Sequence, residues 1–554
     1  MSPFTIRPPE SRTRAYRAAG VWRDFGSIGY LRRWRDQTPH ALAVSAFGPS
    51  EAPVQLSYEA YAHLVERFSG ALYELGVRPG HVVAIQLPNW WQALVLFQAV
   101  ARLGAVLAPC MTTIRPRELQ RMLRRVQASV CITVDRWAGF DHAEALRDMA
   151  SQLPTLRHRV VLGHAGKGDI EFTPVFEETP WEQRHPVALD DAREDPDAVS
   201  AVFFTSGTSG EPKAALHTEN TVFTTTTGVC EVMDIESSDV LFSPHALMHM
   251  AAQMSASAAL QTGASIVLLD SWSGPRGLEV MAQSATTQLT IVAPVYINDL
   301  IAALGQQKGP EVLPALRTVA TGATTIPAPL AAAVATTFGL PLQTSFAMTE
   351  TGVATMTRRD DPPDWAAHSD GRPVLSVELD LRSDGEISRE RPAELFVRSG
   401  GVCVATVGRD TGNVVVIAEH DDGWYDTGDL AVPDGRGGIR LMGRAGDRIG
   451  GVFMIPVNDV ESELLRHFGV RDVALVGYPD GQGGELACAV VVPTNTPPVT
   501  LDELRRYLGG LGMTDWYLPA RLECVEALPR NSTGKVRKEL LRRWLKGEAN
   551  LTDQ

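Results

Sequence analysis

Short apolar runs recur along the first part of the chain, and their spacing limits the folds that are open to it. They cover residues 82–87, 129–134, 264–269, 289–293 and 317–320. Each run suits one buried strand, and the intervals between runs are long enough for helices. Before the first run, Ser57 can cap a helix whose apolar residues keep a helical spacing until Gly76. This alternation predicts an α/β architecture with largely parallel sheets.

The pattern of the sequence changes twice towards the C-terminus. Between about Gly371 and Arg440 the β-like runs are short and broken by Gly, Asp and Pro, which indicates a small β subdomain. After Arg444 helical and strand-like runs follow one another over a length typical of an independent α+β domain. A chain of 554 residues exceeds the size at which one core stops growing, so at least two domains are expected.

Composition and charge exclude several classes of function. The formal net charge is −14 and is spread along the chain, which disfavours nucleic acid and anionic membranes as partners. There is no apolar stretch of about 18 residues, and the N-terminus lacks the apolar core of a signal peptide. We therefore expect a soluble, cytoplasmic protein with no nucleic-acid partner and no membrane partner.

The segment 205–213, which reads TSGTSGEPK, directly follows the apolar run 201–204. Hydroxyl residues, two glycines and a lysine after a strand form a loop whose N–H groups and hydroxyls can wrap a polyphosphate. The P-loop signature differs, because Lys213 is followed by Ala214 rather than by Ser or Thr. On composition alone, a solvated turn is the alternative. The predicted phosphate-binding residues are Thr205, Ser206, Gly207, Thr208, Ser209, Gly210 and Lys213.

Four further motifs follow this loop in order. They are Phe346-Ala-Met-Thr-Glu350, Tyr425-Asp-Thr-Gly-Asp429, Gly443-Arg-Ala-Gly-Asp447 and Pro529-Arg-Asn-Ser-Thr-Gly-Lys535. From about Leu56 to Arg542 the chain resembles the adenylate-forming superfamily of acyl-CoA synthetases, peptide-synthetase adenylation domains and luciferases. The resemblance implies a large N-terminal domain, residues 1–444, of stacked α/β sheets with a small β subdomain. It also implies a hinge, residues 445–448, and a smaller, mobile α+β C-terminal domain, residues 449–554.

The resemblance assigns roles around the nucleotide. The ring of Phe346 stacks on adenine, Glu350 and Thr205 help to hold Mg2+, and Thr349 is a further catalytic residue. Read alone, an aromatic residue and a glutamate near a strand end are more often packing and a solvated charge. Further nucleotide contacts are expected from Gly322, Ala323, Ala347 and Met348.

Two motifs are expected to contact the ribose and to form the hinge. Asp429 ends a tight acidic turn, where a carboxylate can accept hydrogen bonds from both ribose hydroxyls, although a plain β-turn is the alternative. By resemblance, Arg444 is a second ribose contact. Asp447 matches the residue about which the small domain rotates between two half-reactions, and Gly446 beside it can absorb a large dihedral change.

Lys535 is the residue that the chemistry explains best. When a carboxylate attacks the α-phosphate of ATP, two anions approach each other, so the transition state needs cations at the reacting oxygens. By resemblance, Lys535 supplies one cation and Mg2+ another. No general base is required, because the substrate carboxylate is already ionised at neutral pH. The implied cofactors are ATP and Mg2+. Without the resemblance, Lys535 would be interpreted as a solvated charge.

The second half-reaction requires a thiol that displaces AMP from the mixed anhydride. By resemblance, coenzyme A is the co-substrate, and Gly450 and Gly451 line the path of its pantetheine arm. The chain departs from the family here, because the segment after Asp447 is shorter than usual and lacks a Glu and an Asn. The thiol of a carrier protein is therefore the alternative acceptor.

One wall of the expected acid pocket is the segment 243–253, in which His249 takes the position of the family's usual histidine. A core histidine is the alternative. The wall has no aspartate for a substrate ammonium and lacks the Asn-Tyr-Pro of hydroxybenzoate-activating relatives. Its Met, Ala and Leu residues favour an apolar acid. Segments 476–480, 485–489 and 515–526 resemble cyclohexanecarboxylate-CoA ligases and medium-chain acyl-CoA ligases.

These observations predict an AMP-forming acid–thiol ligase. It would join an aliphatic or alicyclic carboxylic acid, a small-molecule partner, to coenzyme A and release AMP and pyrophosphate. A homodimer is compatible with this prediction. The alternatives are an acyl-AMP ligase that loads a carrier protein, an oxidoreductase of the luciferase type, and a catalytically silent nucleotide-binding protein.

Overall fold

Strands and helices alternate along most of the chain, as the apolar runs predict. In the computed structural model the described residues are 3–48, 52–186, 190, 194–205, 213–305, 311–322, 326–408, 413–444, 449, 455, 457–479, 485–494, 497–511, 513, 517–531 and 534–551. The strands are β1 (Leu42–Phe47), β2 (Val54–Ser57), β3 (Val82–Gln86), β4 (Val106–Pro109), β5 (Val130–Val134), β6 (Arg136–Trp137), β7 (Phe140–Asp141), β8 (His158–Leu162), β9 (Ile170–Glu171), β10 (Val199–Thr205), β11 (Lys213–Thr218), β12 (Val240–Phe242), β13 (Ser265–Leu269), β14 (Gln288–Val292), β15 (Thr318–Gly322), β16 (Leu342–Met348), β17 (Gly352–Met356), β18 (Arg372–Pro373), β19 (Glu378–Arg382), β20 (Ala393–Arg398), β21 (Ala405–Val407), β22 (Val414–Val416), β23 (Tyr425–Pro433), β24 (Ile439–Arg444), β25 (Val470–Pro479), β26 (Glu485–Pro493) and β27 (Arg521–Cys524).

The helices fill the intervals between these strands. They are α1 (Glu10–Ala18), α2 (Ser27–Gln37), α3 (Tyr58–Glu74), α4 (Trp91–Arg102), α5 (Pro116–Arg125), α6 (His142–Met149), α7 (Trp181–Arg184), α8 (Glu219–Met233), α9 (Met250–Thr262), α10 (Gly274–Gln283), α11 (Pro294–Leu304), α12 (Ala328–Phe338), α13 (Val457–Leu464), α14 (Leu501–Gly510) and α15 (Lys538–Leu545). The predicted cap of α3 is confirmed, because the Ser57 hydroxyl accepts a hydrogen bond from the Ala60 N–H at 3.2 Å. Among the described helices, none has the length and apolar character needed to cross a bilayer.

Two large sheets organise the N-terminal part of the described chain. Sheet A has nine strands in the order β18-β17-β16-β15-β14-β12-β13-β1-β2, and sheet B has nine in the order β22-β21-β11-β10-β4-β3-β5-β8-β9. The strands from β16 to β1 in sheet A and from β10 to β9 in sheet B run parallel to their neighbours. The remaining edge strands pair antiparallel. Largely parallel sheets are therefore confirmed.

Helices separate the two sheets and cover their outer faces. In β13, Ile266 and Leu268 belong to the apolar cluster that joins both sheets through α2, α3, α4, α8 and α9. Val267 and Leu269, which alternate with them, belong to a second cluster with α10, α11 and α12. A third cluster packs α5 and α6 on the outer face of sheet B. Both sheets are buried on two faces, as parallel strands require.

The segment after Gly371 contributes to three sheets, which differs from the prediction of one β subdomain. Four of its strands form a small antiparallel sheet in the order β19-β20-β23-β24. In contrast, β18 extends sheet A, and β21 and β22 extend sheet B. The physical reason is that an open sheet edge leaves backbone N–H and C=O groups unpaired, and these short strands pair with them.

The C-terminal part forms the expected α+β unit. Its sheet has the order β25-β26-β27, with an antiparallel and a parallel pairing. One face of β25 and β26 packs on α13 and α14, and the other packs on α15. Ile449 is fully buried in the first of these two cores.

The backbone at Gly371 joins sheet A to the small sheet. The Ile439 N–H donates to the Gly371 carbonyl at 3.1 Å, and the Asp370 N–H donates to the Ile439 carbonyl at 2.8 Å. Gly371 has a φ of +96°, and a Cβ at this position would lie 2.1 Å from the carbonyl carbon of Met356. Only glycine fits, because the strain of a positive φ adds to a direct clash with backbone.

We expect Gly371→Ala to destabilise the protein far more than Gly435→Ala, its matched control. Gly435 also has a positive φ, +82°, but no described heavy atom lies within 4 Å of a Cβ placed there. The control should cost about 1 kcal/mol of the free energy of unfolding, and Gly371→Ala about 4 kcal/mol or more. Urea unfolding of both variants measures the difference. Equal midpoints would show that the junction tolerates a side chain.

Candidate active site

The two ends of the phosphate loop are held side by side. β10 and β11 are antiparallel neighbours, and their register places Thr205 opposite Lys213. The loop is thus the connection of a hairpin at one end of sheet B. Ser206, Gly207, Thr208, Ser209 and Gly210 lie outside the described residues, and the side chain of Lys213 is exposed.

The turn that carries Thr349 and Glu350 follows β16 in sheet A. Nε2 of His217 lies 2.8 Å from the Thr349 carbonyl oxygen, and the Cys403 N–H donates to the Glu350 carbonyl at 2.7 Å. Glu350 itself is only 7% exposed. The turn is therefore fixed to β11, the strand that begins at the end of the phosphate loop.

His217 is uncharged where it makes this contact. Its side chain is fully buried, and burial lowers its pKa to about 4. A neutral ring that donates from Nε2 leaves Nδ1 as an acceptor, and Nδ1 lies 3.0 Å from the Thr221 hydroxyl oxygen. This buried contact links sheet B to the carboxyl end of β16 in sheet A.

A glycine and a threonine support the same turn from behind. The Thr225 hydroxyl accepts a hydrogen bond from the Val353 N–H at 2.7 Å. Gly352 has a φ of +65°, and a Cβ there would lie 2.3 Å from Thr225 Oγ1. Helix α8 thus approaches the backbone beside Glu350 at a distance that only glycine permits.

The other predicted nucleotide contacts in the described chain lie on the neighbouring strands β15 and β16. Phe346 is 7% exposed and belongs to the apolar cluster that contains Ala215 and Leu395, whereas Ala347 and Met348 are half-buried. Gly322 ends β15 opposite Ser345. A Cβ on Gly322 would lie 2.7 Å from Ser345 Oγ, so the strand ends approach closely here. Ala323 lies outside the described residues.

The two predicted ribose contacts are cross-strand neighbours. Asp429 in β23 lies opposite Arg444 in β24, and Asp429 is 7% exposed. The Asp429 N–H donates to the Thr427 hydroxyl at 3.1 Å, which shapes the acidic turn. Asp447, Gly450 and Gly451 lie outside the described residues.

The segment before His249 is held by Asn89, which sequence reasoning missed. The buried Asn89 amide donates from Nδ2 to the His245 carbonyl at 2.9 Å and accepts from the Leu247 N–H at 2.7 Å. Nε2 of His245 accepts from the Ala293 N–H at 3.1 Å. Burial lowers the pKa of His245 to about 3, so it remains neutral.

His249 begins helix α9. Its Nδ1 accepts a hydrogen bond from the Ala251 N–H at 3.2 Å, so the neutral ring carries its proton on Nε2. Burial, followed by the positive charge of Lys535, lowers the pKa of His249 to about 4. His249 is therefore an uncharged donor within electrostatic range of a lysine from the C-terminal part.

The loop that carries Lys535 closes on itself. The Lys535 N–H donates to Asn531 Oδ1 at 2.9 Å, and the Asn531 N–H donates to the Lys535 carbonyl at 2.9 Å. A bridge between Arg530 and Val536 flanks this pair. The Lys535 side chain is exposed. These contacts fix Asn531 and Lys535 relative to each other.

Direct contacts join the C-terminal part to the small sheet. Asn458 Nδ2 donates to the Leu441 carbonyl at 3.3 Å, and Arg389 forms an ion pair with Asp459 at 2.9 Å. The nearness of Lys535 to His249 is consistent with this contact.

The described residues fit Mg2+ better than a metal ion that takes all of its ligands from the protein. In the described part of the chain no three His, Cys, Asp or Glu residues form a group that could hold a metal ion. Mg2+ usually binds through one or two carboxylates and takes its other ligands from phosphates and water. The buried carboxylate of Glu350 can supply the protein ligand.

Comparison with protein families agrees with this geometry. The model of the AMP-binding enzymes matches residues 31–405, and that of the AMP-binding enzyme C-terminal domain matches residues 459–535. The chain belongs to the AMP-binding enzyme family. As a member of this family it is an adenylate-forming acid–thiol ligase, and the sequence-based recognition is confirmed.

Relatives of this AMP-binding enzyme act on different acids. The chain is 28% identical over 548 residues to the medium-chain fatty-acid–CoA ligase of Escherichia coli (strain K12), covering 97% of this chain and 94% of the relative. It is 30% identical over 557 residues to the salicyl-AMP ligase / salicyl-S-ArCP synthetase of Mycobacterium tuberculosis, covering 97% and 94%. Among solved structures, the anthranilate CoA ligase AuaEII in complex with anthranoyl-AMP has a TM-score of 0.82 at 22% identity, covering 95% of this chain and 99% of that one. This last similarity concerns the fold.

The AMP-binding enzyme brings its predicted residues together in pairs. Thr205 lies opposite Lys213 and Asp429 opposite Arg444. The charge of Lys535 contributes to the lowered pKa of His249. Three supporting residues were missed by sequence reasoning: His217, Asn89 and Thr225. A histidine inside an apolar strand is a signal for His217, because a buried polar group needs a partner. The partners of Asn89 and Thr225 are distant in sequence and leave no local signal.

We expect His217 to make stability depend on pH. Its pKa is lower in the folded state than the ordinary value of about 6.5, so the unfolded state binds more protons below that pH. The free energy of unfolding therefore decreases as the pH falls from 6.5 towards 4. His217 accounts for a loss of about 2 kcal/mol between pH 6.5 and pH 5. Thermal unfolding should therefore show a smaller loss of stability on acidification for His217→Asn than for the wild type. His164→Asn, which replaces an exposed histidine, is the control. An equal loss of stability in His217→Asn and in the wild type would contradict this interpretation.

Proposed function

We propose that this ligase activates an aliphatic or alicyclic carboxylic acid as an acyl-adenylate and then transfers the acyl group to coenzyme A. One observation carries the proposal: His249, whose Nδ1 accepts from the Ala251 N–H at 3.2 Å, begins a helix whose first turn is apolar. The expected cofactors are ATP and Mg2+, and coenzyme A is the expected co-substrate.

The wall next to His249 favours an acid without a second charge. Leu247, Met248, Met250 and Ala252 are buried around it, and each is at most 4% exposed. A charged substrate group against this wall would lose its hydration without gaining a partner, at a cost of several kcal/mol. The medium-chain fatty-acid–CoA ligase among the relatives supports an apolar acid.

The first half-reaction follows from the charges. The acid carboxylate attacks the α-phosphorus of ATP, a new oxygen–phosphorus bond forms, and pyrophosphate leaves. Lys535 stabilises the negative charge that accumulates on the reacting oxygens, and the neutral His249 can donate from Nε2 without adding charge. Residues 205–213 would hold the departing pyrophosphate. Mg2+ bound through Glu350 and Thr205 would neutralise phosphate charge.

The second half-reaction exchanges the leaving group. The thiolate of coenzyme A attacks the acyl carbonyl carbon, a thioester forms, and AMP leaves with both electrons of the broken carbon–oxygen bond. We propose that rotation about Asp447 withdraws Lys535 and brings Gly450 and Gly451 to the pantetheine arm. Phe346, Asp429 and Arg444 would hold AMP during both steps.

We expect Lys535→Ala to slow adenylation by about two to three orders of magnitude, because it removes one preorganised cation from the transition state. Acid-dependent release of pyrophosphate measures this step. Lys546→Ala, which removes an exposed lysine of the same C-terminal part, is the matched control and should leave the rate unchanged.

The same variant separates the two steps. Transfer of the acyl group from preformed acyl-AMP to coenzyme A should fall less than the adenylation rate in Lys535→Ala. Pyrophosphate release at a near-normal rate in Lys535→Ala would contradict the role of this lysine.

A panel of acids tests the substrate class and the acceptor. We expect AMP formation with linear and alicyclic acids to exceed that with hydroxybenzoates, and addition of coenzyme A to yield the thioester. A carrier protein with a phosphopantetheine arm provides the comparison, since relatives include a salicyl-S-ArCP synthetase. Thioester formation on the carrier alone would favour an acyl-AMP ligase.

A further inference from the structure

Residues 21–23 connect helix α1 to the segment before helix α2. They precede the part of the chain that matches the AMP-binding enzymes, which begins at residue 31. We call them the 21–23 segment. Connecting segments usually run over the protein surface, but Val21 and Trp22 are both buried. The segment therefore packs closely against other parts of the molecule.

One partner of the 21–23 segment is the turn at residues 399–402. The Trp22 indole donates from Nε1 to the Gly400 carbonyl at 3.0 Å, in a buried position. A Cβ on Gly400 would lie 2.8 Å from Cγ1 of Val21 and 3.0 Å from Nε1 of Trp22. The segment thus lies directly on the backbone of Gly400, where a methyl group would displace it.

The other partner is helix α8. The side-chain amide of Asn220 accepts a hydrogen bond from the Arg23 N–H at 3.0 Å and donates one to the Arg23 carbonyl at 3.0 Å. Asn220 is fully buried, so both hydrogen bonds are shielded from water. Breaking them would leave buried polar groups without partners, which is costly. The backbone next to Trp22 is therefore anchored to α8.

Both partners also hold the turn that carries Glu350. The turn at residues 399–402 leads directly to Cys403, whose N–H donates to the Glu350 carbonyl at 2.7 Å. On α8, the Thr225 hydroxyl accepts from the Val353 N–H at 2.7 Å. The backbone around Glu350 is thus held at two places three residues apart. The 21–23 segment connects these two supports.

The turn between Gly400 and Cys403 is short and internally bonded. The Ser399 hydroxyl accepts a hydrogen bond from the Gly401 N–H at 2.8 Å, and the Ser399 carbonyl accepts one from the Val402 N–H at 3.3 Å. Such a turn has little freedom to change shape, because its backbone groups are already paired within it. A displacement of Gly400 therefore displaces the Cys403 N–H as well.

We propose that Trp22 is a positioning residue for Glu350. Through the turn at residues 399–402 it fixes the backbone of Glu350, and with it the carboxylate that would hold Mg2+ beside ATP. This inference rests on the proposed function. A segment that served stability alone would change the Tm of the protein but not its affinity for MgATP. A positioning role predicts that MgATP binding weakens when the Trp22 contact is lost.

Trp22→Phe tests this role, because it keeps an aromatic ring and removes only the Nε1–H donor. At a saturating acid concentration, the KM for MgATP in pyrophosphate release should rise about fivefold, since a small displacement of a functional group is costly. The KM for the acid should stay unchanged. Trp181→Phe is the matched control, because Trp181 Nε1 also donates to a backbone carbonyl, that of Val175 at 2.7 Å. This control should alter neither KM.

Nucleotide binding without turnover gives a second measurement. MgATP should raise the Tm of the wild-type protein more than ATP with EDTA does, because a ligand that binds only the folded state stabilises it. The difference between the two rises in Tm reports the contribution of the metal ion. It should be smaller in Trp22→Phe than in the wild type and unchanged in Trp181→Phe.

Gly400→Ala keeps the test valid if Trp22→Phe does not fold. It places a methyl group against Val21 and Trp22 and should raise the KM for MgATP in the same way. Gly509→Ala is its control, because no described heavy atom lies within 4 Å of a Cβ placed there.

The outcomes distinguish the inference from the function on which it rests. An unchanged KM for MgATP in Trp22→Phe and Gly400→Ala, or an equal rise in Trp22→Phe and Trp181→Phe, would overturn the inference and leave the ligase activity intact. Equal rises in the wild-type Tm with MgATP and with ATP plus EDTA would overturn the Mg2+ role of Glu350, and the inference with it. Absence of pyrophosphate release with every acid would overturn the proposed function itself.

Discussion

A buried contact between His217 and the carbonyl of Thr349 connects the two halves of the nucleotide site. The phosphate loop belongs to sheet B, whereas the turn with Glu350 belongs to sheet A. The apolar cluster between the sheets fixes their separation but not the alignment of two loops at their ends, because hydrophobic packing is not directional. The hydrogen bond of the buried, neutral His217 is directional, so it can align the two loops. The close approach of Gly352 to Thr225 supports the same turn from α8.

The reacting end of the site depends on charge rather than on shape. His249 stays neutral, since burial and the nearby ammonium of Lys535 both oppose its protonation. The site thus combines the positive charge of Lys535, which the C-terminal part carries, with a wall of uncharged side chains. A cation placed in this way can stabilise the approach of two anions.

Local patterns predicted much of the fold, and long-range pairing accounts for the rest. The Ser57 cap and the apolar run 264–269 are local signals, so α3 and β13 could be predicted. In contrast, β18, β21 and β22 are short, and their partners lie far away in the sequence. The resemblance assigned Lys535 and His249, but no pattern in the sequence indicated that one acts on the other. Asn89 holds the segment before His249 through two backbone contacts, and no local pattern indicates such a role.

Acid-dependent exchange of labelled pyrophosphate into ATP, measured without any thiol, tests the central claim most directly. The account predicts exchange only when a suitable carboxylic acid is present, because the acyl-adenylate forms reversibly before the acceptor is needed. Exchange that requires coenzyme A, or cleavage of ATP to ADP and phosphate, would contradict it.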